Sequence, residues 1–350
     1  MATKLDDSLL IRAFRRETIP RFPIWMMRQA GRYQASYRRL REKHSLLQIV
    51  KTPELASQVT IAAIDEFDFD AGIIFSDILI VLQEMGLELE FLKGEGPKLS
   101  PIATASDIEK LRVPHPEEAF SYTLDAIARS AAELNSRRIP LIGFVGAPFT
   151  LACYALEGGG SKEYLKVKAL ALSQPELFNM LCDKILKTCT KFLLAQAKAG
   201  ASALQIFDSW AGILSPRDYE RFALPYAKQL VENVREAQVP VIYFSTGTSS
   251  YLRLLSQTGA DVIGIDWRAD IAQAFSVLSA THAIQGNLDP SYLFAPWEEL
   301  KAQAISILDV ATRRSLARSG FVFNLGHGIL QHTPEASVRR LVELVKLSAS

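Results

Sequence analysis

Short runs of apolar, β-branched and aromatic residues recur along the chain, and Pro or Gly introduces many of them. Runs of this length and composition are typical of strands buried on both faces of a sheet. We predict about eight such strands, at residues 23–27, 71–75, 140–145, 203–207, 240–244, 262–265, 282–285 and 321–324.

Helical stretches separate these strands, and several carry start signals. Thr52 precedes Pro53, Ser215 precedes Pro216, and residues 173–176 have the spacing of a capping box. Buried strands that alternate with helices indicate a parallel sheet. About eight such units predict an α/β fold, a single-domain (β/α)₈ TIM barrel spanning residues 1–350.

The chain is longer than a barrel needs, and the first half accommodates the surplus. Residues 86–97 alternate like a hairpin and then contain Gly94 and Gly96, and residues 101–116 resemble a loop with a short helix. The main alternative is a doubly wound open sheet. That fold usually has fewer strands, and its G-x-G-x-x-G motif does not follow the first predicted strand.

The active site of a barrel lies at the carboxyl ends of its strands. This rule converts the strand prediction into candidate site residues: Arg28, Arg32, Ser76, Asp77, Tyr154, Asp208, Ser209, Trp210, Ser245, Thr246, Asp266, Asn287 and His327. If the turn after strand 1 is helical, Arg28 and Arg32 lie on one side of it. Two guanidinium groups side by side suit a ligand with several carboxylates or phosphates, although a solvated surface pair is the alternative.

Composition narrows the function. The chain is 49% hydrophobic and 22% charged with a formal net charge of +1, so no overall field favours nucleic acid or an anionic membrane. No apolar run is long enough for a membrane span, and the first seven residues do not resemble a signal peptide. Three cysteines without a CxxC motif indicate reduced thiols in a cytoplasmic protein.

The candidate residues do not form a recognisable metal or nucleophile motif. Asp68 and Asp70 form a DxD, but they precede strand 2 at the stability face, so we expect a structural role. The Gly158–Lys162 stretch fails the phosphate-loop order, and Cys153 has no histidine near it in sequence. What remains is an anion-binding cavity with Asp77 at its rim, where Asp77 either serves chemistry or neutralises an arginine.

Several motifs together resemble the uroporphyrinogen decarboxylase family, in order along nearly the whole chain. They are Met27-Arg28-Gln29-Ala30-Gly31-Arg32-Tyr33, Phe75-Ser76-Asp77-Ile78-Leu79, Gly146-Ala147-Pro148-Phe149-Thr150 with Tyr154, Phe207-Asp208-Ser209-Trp210, Gln285-Gly286-Asn287-Leu288-Asp289-Pro290 and Asn324-Leu325-Gly326-His327-Gly328. The resemblance implies a homodimeric barrel enzyme, without metal or organic cofactor, that removes the four acetate carboxylates of uroporphyrinogen III to give coproporphyrinogen III.

The resemblance also implies residue roles. Substrate-binding residues would be Arg28, Gln29, Ala30, Gly31, Arg32, Asp77, Tyr154, Ser209 and His327. Asp77 would accept hydrogen bonds from the pyrrole N–H groups and stabilise a cationic ring, and nearby arginines are expected to lower its pKa. Arg28 would be a second catalytic residue, as a candidate proton donor.

Two other functions are compatible with this set of residues. One is a cobalamin-dependent type of methyltransferase of the same barrel superfamily, which would need zinc ligands from His and Cys. The other is a non-catalytic tetrapyrrole carrier, which the presence of Asp77 disfavours.

Overall fold

A curled sheet of parallel strands forms the core of the molecule. The computed structural model describes residue 5 and residues 7–92, 96–315 and 318–348. The strands are β1 (Gly72–Ile73), β2 (Leu89–Leu92), β3 (Gly96–Leu99), β4 (Leu141–Gly146), β5 (Ala203–Asp208), β6 (Val241–Ser245), β7 (Val262–Gly264), β8 (Ala283–Leu288) and β9 (Phe321–Leu325). Seven of them pair in parallel in the order β1-β4-β5-β6-β7-β8-β9, while β2 and β3 form a separate hairpin.

Helices surround this sheet and connect its strands. Those of the described residues are α1 (Leu9–Phe14), α2 (Ala35–Arg41), α3 (Leu46–Lys51), α4 (Pro53–Phe67), α5 (Ile80–Met85), α6 (Ala105–Lys110), α7 (Pro116–Ala119), α8 (Ser121–Ser136), α9 (Pro148–Glu157), α10 (Leu165–Ser173), α11 (Pro175–Lys198), α12 (Pro216–Phe222), α13 (Leu224–Asn233), α14 (Leu252–Ser256), α15 (Ile271–Leu278), α16 (Trp297–Arg314) and α17 (Glu335–Leu347). None of these helices combines the length and apolar character that a bilayer crossing needs.

The eighth position of the barrel is a single bridge at Ile24. Ile24 pairs in parallel with Phe323 of β9, whose N–H donates to the Pro23 carbonyl at 2.9 Å. On its other side, the Ile24 carbonyl accepts the N–H of Asp70 at 2.9 Å, just before β1. These bonds close the ring of strands, and the predicted (β/α)₈ barrel is confirmed.

Polar and aromatic side chains fill the barrel interior. Gln285 of β8 donates to Gln205 of β5 at 3.2 Å, a contact that must cross the interior because two strands lie between them. Phe207 has the same parity as Gln205, and its ring packs edge to face against Phe144 at 5.5 Å and Phe244 at 5.9 Å. These three rings lie near the carboxyl ends of β4, β5 and β6, so they give the barrel mouth an apolar floor.

The predicted hairpin is present as β2 and β3, with Gly96 as the first residue of β3, while Gly94 lies outside the described residues. The hairpin is attached to the end of α9. The N–H of Leu99 donates to the Gly158 carbonyl at 2.9 Å, and Lys98 bridges Gly159. Gly158 ends α9 in a left-handed conformation that favours glycine.

Three sequence expectations are corrected in detail. The strand predicted at residues 23–27 is only the Ile24 bridge, and the one predicted at 71–75 is reduced to Gly72–Ile73. Ser173 does not cap α11, because it belongs to the last turn of α10 and its hydroxyl donates to Ala169. Ser215 does cap α12, as predicted, since its side chain accepts the Asp218 N–H.

Asp70 holds the closure of the barrel in place. Its carboxylate accepts two hydrogen bonds from Arg21, both at 2.7 Å, and the N–H of Ile24 at 2.8 Å. The carboxylate is largely buried, with 9% of its side chain exposed. Asp70 therefore has the structural role expected from its position before β1.

We expect Asp70→Ala to lower the free energy of unfolding by about 3 kcal/mol, because it leaves Arg21 and the Ile24 N–H without their acceptor. Urea denaturation followed by circular dichroism measures the change. Asp65→Ala is the matched control, since Asp65 pairs with Arg137 at the same 2.7 Å but is 54% exposed. The control should change the free energy by about 0.5 kcal/mol, and equal losses in the two variants would contradict the closing role of Asp70.

Candidate active site

Asp77 lies just after β1, at the carboxyl end of the barrel, and is half-buried. Its Oδ1 accepts the N–H of Leu79 at 2.9 Å, which turns the carboxylate toward the chain that follows. Burial raises the pKa of Asp77 above its ordinary value, while the Leu79 N–H and the Arg28 guanidinium oppose that rise. Arg28 lowers the pKa of Asp77, as expected, but desolvation is the larger effect and the net shift is upward.

Arg28 lies in the turn after Ile24, close enough to Asp77 for the two charges to interact. Its backbone has a positive φ of 58°, an uncommon conformation for a residue with a side chain. A Cβ on Gly328 would lie 2.5 Å from the Arg28 Cδ, so glycine at 328 gives the arginine its space. The Arg28 charge affects the pKa of Asp77, Tyr154 and His327, which places it among all three.

Arg32 does not join Arg28 beside Asp77. The segment between the two arginines consists of turns rather than helix, so the expected alignment of Arg28 and Arg32 on one helix face is wrong. Arg32 is exposed and lines an outer cavity of about 350 Å³ with Arg38, Thr333 and the start of α17. Arg38 fixes this loop by donating to the carbonyls of Arg32 and Tyr33.

Hydrogen bonds to backbone groups fix the segment between Arg28 and Arg32. The Gln29 carbonyl accepts the Tyr33 hydroxyl at 2.7 Å, and the Gly31 N–H donates to the Gln34 side chain at 2.9 Å. Gln29 is fully buried, and neither atom of its amide has a hydrogen-bond partner in the described part of the chain. Ala30 and Gly31 are half-buried, and a Cβ on Gly31 would find open space apart from the Arg28 carbonyl at 3.6 Å.

Tyr154 and Ser209 border the mouth on the β4–β5 side. Tyr154 lies on α9 and packs against Trp210, with ring centroids 5.8 Å apart. Burial, with a smaller effect from Asp77, raises the pKa of Tyr154 to about 12, so its hydroxyl remains a hydrogen-bond donor. Ser209 is half-buried at the end of β5, and its carbonyl accepts the Thr246 hydroxyl at 2.6 Å.

His327 follows β9 and is half-buried beside Arg28. Burial and then the Arg28 charge lower its pKa below the ordinary value of 6.5, so the imidazole is neutral near pH 7. Trp267 packs edge-on against it, with ring centroids 6.0 Å apart. A neutral imidazole supplies one N–H donor and one acceptor to a ligand.

Two aspartates of the candidate list support the site from beneath. Asp208 is fully buried and accepts hydroxyl hydrogen bonds from Thr150 and Tyr243, both at 2.6 Å. Asp266 is also buried and accepts the Gly247 N–H at 2.6 Å. Both carboxylates are thus occupied by their own protein rather than open to a ligand.

The sequence analysis missed Trp267 and Arg268, which belong to the same cluster as His327. The Arg268 guanidinium lies 4.0 Å over the Trp267 ring and 3.0 Å from Asp266 Oδ2. The only signal in the sequence was their place directly after Asp266 at a strand end.

The cysteines are helical and buried, Cys153 in α9 and Cys182 and Cys189 in α11. Burial raises the pKa of each thiol, so all three remain protonated. In the described residues, no group of three or more His, Cys, Asp and Glu side chains is arranged to hold a metal ion.

The structure therefore brings Arg28, Asp77, Tyr154 and His327 into one electrostatic neighbourhood. Ser209 lies with Tyr154 on the β4–β5 side, and Arg32 lines the separate outer cavity. The site combines one carboxylate with cationic and neutral hydrogen-bond donors above an apolar floor. Such a set suits a ligand that carries several carboxylates outside and N–H donors inside.

Comparison with known proteins gives this chain its family. A family model described as uroporphyrinogen decarboxylase (URO-D) matches residues 5–347. A protein named uroporphyrinogen decarboxylase from Carboxydothermus hydrogenoformans is 46% identical over 342 residues, covering 97% of this chain and 96% of the relative. One of the same name from Chloroflexus aggregans is 48% identical over 341 residues, covering 96% of this chain and 94% of the relative.

A solved structure, described as a methyltransferase from Methanosarcina mazei, superposes with a TM-score of 0.81 over 100% of both chains. Its sequence identity is 17%, so this similarity shows the barrel fold alone.

The raised pKa of Asp77 has a consequence for stability. A carboxylate whose pKa is higher in the folded state binds protons more tightly there, so stability falls as pH rises through that pKa. We expect Asp77→Asn to be more stable than the wild type at pH 7.5, and the difference to shrink as pH falls toward 4. The amide oxygen still accepts the Leu79 N–H, so thermal melts across this pH range isolate the charge.

Asp107→Asn is the control of opposite sign. Hydrogen bonds from Thr104 and Ala103 lower the pKa of Asp107, so removing the charge of this carboxylate should destabilise the protein at neutral pH. An Asp77→Asn variant that melts below the wild type at pH 7.5 would contradict the desolvation of Asp77.

Proposed function

Because the chain belongs to the uroporphyrinogen decarboxylase family, we propose that its barrel mouth binds uroporphyrinogen III and removes the carboxyl group of each of its four acetate side chains. The products are coproporphyrinogen III and CO₂. The activity is that of a carboxy-lyase of tetrapyrrole biosynthesis, and residues 1–350 act as one catalytic domain without a cofactor.

The observation that carries this proposal is the environment of Asp77. One carboxylate oxygen accepts the Leu79 N–H, and the hydrogen bonds of the described residues leave the other without a donor. Asp77 and Arg28 influence each other electrostatically without a hydrogen bond between them. Asp77 is therefore not simply neutralised by an arginine, and its second oxygen is available to the inward-facing N–H groups of a tetrapyrrole.

The outer groups of the substrate match the rest of the site. In this assignment, Arg28 and Arg32 bind substrate carboxylates through their guanidinium forks. Tyr154, Ser209 and His327 donate hydrogen bonds to further carboxylates. The segment from Gln29 to Gly31 contributes its backbone, since the Gln29 side chain is buried and glycine at 31 leaves room for close approach.

Asp77 contributes to the reaction through charge. Protonation of a pyrrole ring carbon makes the ring cationic, and the electrons of the breaking C–CO₂ bond then flow into the ring as CO₂ leaves. The exocyclic carbon next takes up a proton to become a methyl group, and the ring carbon releases its own. Each carboxylate is thus exchanged for one proton.

The ionised Asp77 stabilises the cationic ring most strongly at the moment when the charge is greatest. The apolar floor of Phe144, Phe207 and Phe244 keeps water from screening this attraction. Pyrrole N–H donors favour the charged form of Asp77, so substrate binding offsets part of the desolvation that raises its pKa in the free protein.

Arg28 is assigned to proton delivery. A guanidinium is a very weak acid, so its part is to hold a proton-carrying group, either a water molecule or a protonated substrate carboxyl, beside the ring. Its position among Asp77, Tyr154 and His327 supports this assignment.

The family resemblance also supports a homodimer in the cytoplasm, which sedimentation of the purified protein and cell fractionation test. Neither alternative function is favoured. The similarity to a methyltransferase extends only to the fold, and the family to which the chain belongs is named for a decarboxylase rather than for a carrier.

We expect the purified protein to convert uroporphyrinogen III to coproporphyrinogen III in the presence of a chelator, as measured by oxidation and chromatography of the porphyrins. Asp77→Asn should bind substrate with little change but lose at least about a thousandfold in kcat, because a neutral amide cannot stabilise the cationic ring. Asp65→Asn, on the outer surface, is the control and should retain full activity.

Bound but unchanged substrate with the wild type would instead identify a carrier. A near-normal rate in Asp77→Asn would remove this residue from the mechanism while leaving the reaction itself established.

A further inference from the structure

Arg268 lies two residues beyond Asp266, on the connection from β7 to α15. This connection opens onto the same end of the barrel as His327. A Cβ on Gly326 would come within 2.2 Å of the Trp267 N–H nitrogen, so the connection passes directly against the loop that carries His327. Arg268 is therefore part of the rim of the active site.

The guanidinium of Arg268 is held in a fixed orientation. One face lies 4.0 Å over the Trp267 ring, and Nη1 donates to Asp266 Oδ2 at 3.0 Å. Asp266 is itself fixed, because it accepts the backbone N–H groups of Gly247 at 2.6 Å and of Arg268 at 3.1 Å. A side chain fixed before its ligand arrives loses less conformational entropy on binding.

Most of the donors of this guanidinium are free. Arginine has five N–H donors, and the hydrogen bonds of the described residues use one of them, on Asp266. The side chain is 54% exposed although two partners hold it. An arginine that only neutralised Asp266 would not need to stack on the Trp267 ring or to keep its other N–H donors exposed.

The charge of Arg268 is felt inside the site. It lowers the pKa of His327, as the Arg28 charge also does. The Trp267 ring connects the two residues, because its centroid lies 4.0 Å from the Arg268 guanidinium and 6.0 Å from the centroid of the His327 ring.

We propose that Arg268 is a further carboxylate-binding residue of the active site, which takes a peripheral carboxylate of the tetrapyrrole on the His327 side. The inference rests on the proposed function, since it is the many carboxylates of that substrate that need cationic partners. Asp266 and Trp267 are positioning residues, because they hold the guanidinium and do not themselves meet the substrate.

The test compares Arg268→Gln with the wild type in two measurements. In the first, fluorescence titration follows binding of uroporphyrin, the oxidised octacarboxylate that does not react. In the second, steady-state kinetics use uroporphyrinogen III. We expect the Kd and the KM to rise about tenfold, the usual effect of losing one charged hydrogen bond. We expect kcat to stay within about twofold, because Arg268 follows β7, four strands away from β1 and Asp77 in the sheet order.

Arg340→Gln is the matched control. Arg340 also lies 4.0 Å over a tryptophan ring, that of Trp297, but on the outer helices α16 and α17. It should leave Kd and KM unchanged. Arg268→Lys keeps the charge without the planar fork, so its Kd should fall between those of the wild type and Arg268→Gln, and melting temperatures verify that each variant is folded.

An unchanged Kd in Arg268→Gln would overturn the proposal, as would an equal rise in the Arg340→Gln control. These results are separate from the proposed function. A wild type that binds uroporphyrin without releasing CO₂ from uroporphyrinogen refutes the decarboxylase, whereas a wild type that turns over normally beside an unaffected Arg268→Gln refutes only the role of Arg268.

Discussion

Two short stretches of backbone meet where the barrel closes, and the active site depends on that meeting. Ile24 is bonded on one side to β9 and on the other to Asp70, whose carboxylate is clamped by Arg21. Arg28 follows Ile24 by four residues, and Asp77 follows Asp70 by seven. The closure therefore fixes the starting points of the two segments that carry the proposed catalytic pair.

The site places an ionisable carboxylate where water is scarce, and its surroundings limit the cost. Complete neutralisation by an ion pair would leave nothing to stabilise a cationic ring, whereas complete isolation would protonate Asp77. Arg28 acts from a distance, and Leu79 supplies one hydrogen bond. This intermediate arrangement keeps Asp77 open to a ligand with N–H donors, at some expense in stability.

Much of the fold could be predicted from the sequence, because buried parallel strands are continuous apolar runs. Residues 203–207 and 321–324 were predicted almost to their ends, since packing on both faces requires apolar side chains throughout. The strands predicted at residues 23–27 and 71–75 are much shorter in the structure, and this shortening could not be predicted. An apolar segment continues to pair only where the neighbouring strand has free backbone groups. In β4, the neighbour of β1, the backbone N–H and carbonyl of Phe144 are hydrogen-bonded to the side-chain amide of Gln196 from α11 instead.

The candidate site was predicted less completely, for physical reasons that differ from residue to residue. The barrel rule identified Asp77, Tyr154 and His327 because it depends only on strand ends. It could not show that Arg28 adopts a left-handed conformation and diverges from Arg32, or that desolvation outweighs the nearby arginine at Asp77. Arg268 was missed because its importance comes from the Trp267 ring beneath it, a contact that no spacing reveals.

The hairpin of β2 and β3 has a consequence for how far this barrel can be simplified. Its second strand, β3, is hydrogen-bonded to Gly158 and bridges Gly159, at the end of the helix that carries Tyr154. The hairpin thus supports α9, the helix that forms one side of the barrel mouth. A minimal eight-unit barrel made by excising it would keep every residue of the site in its sequence, yet one wall would have lost its outer brace.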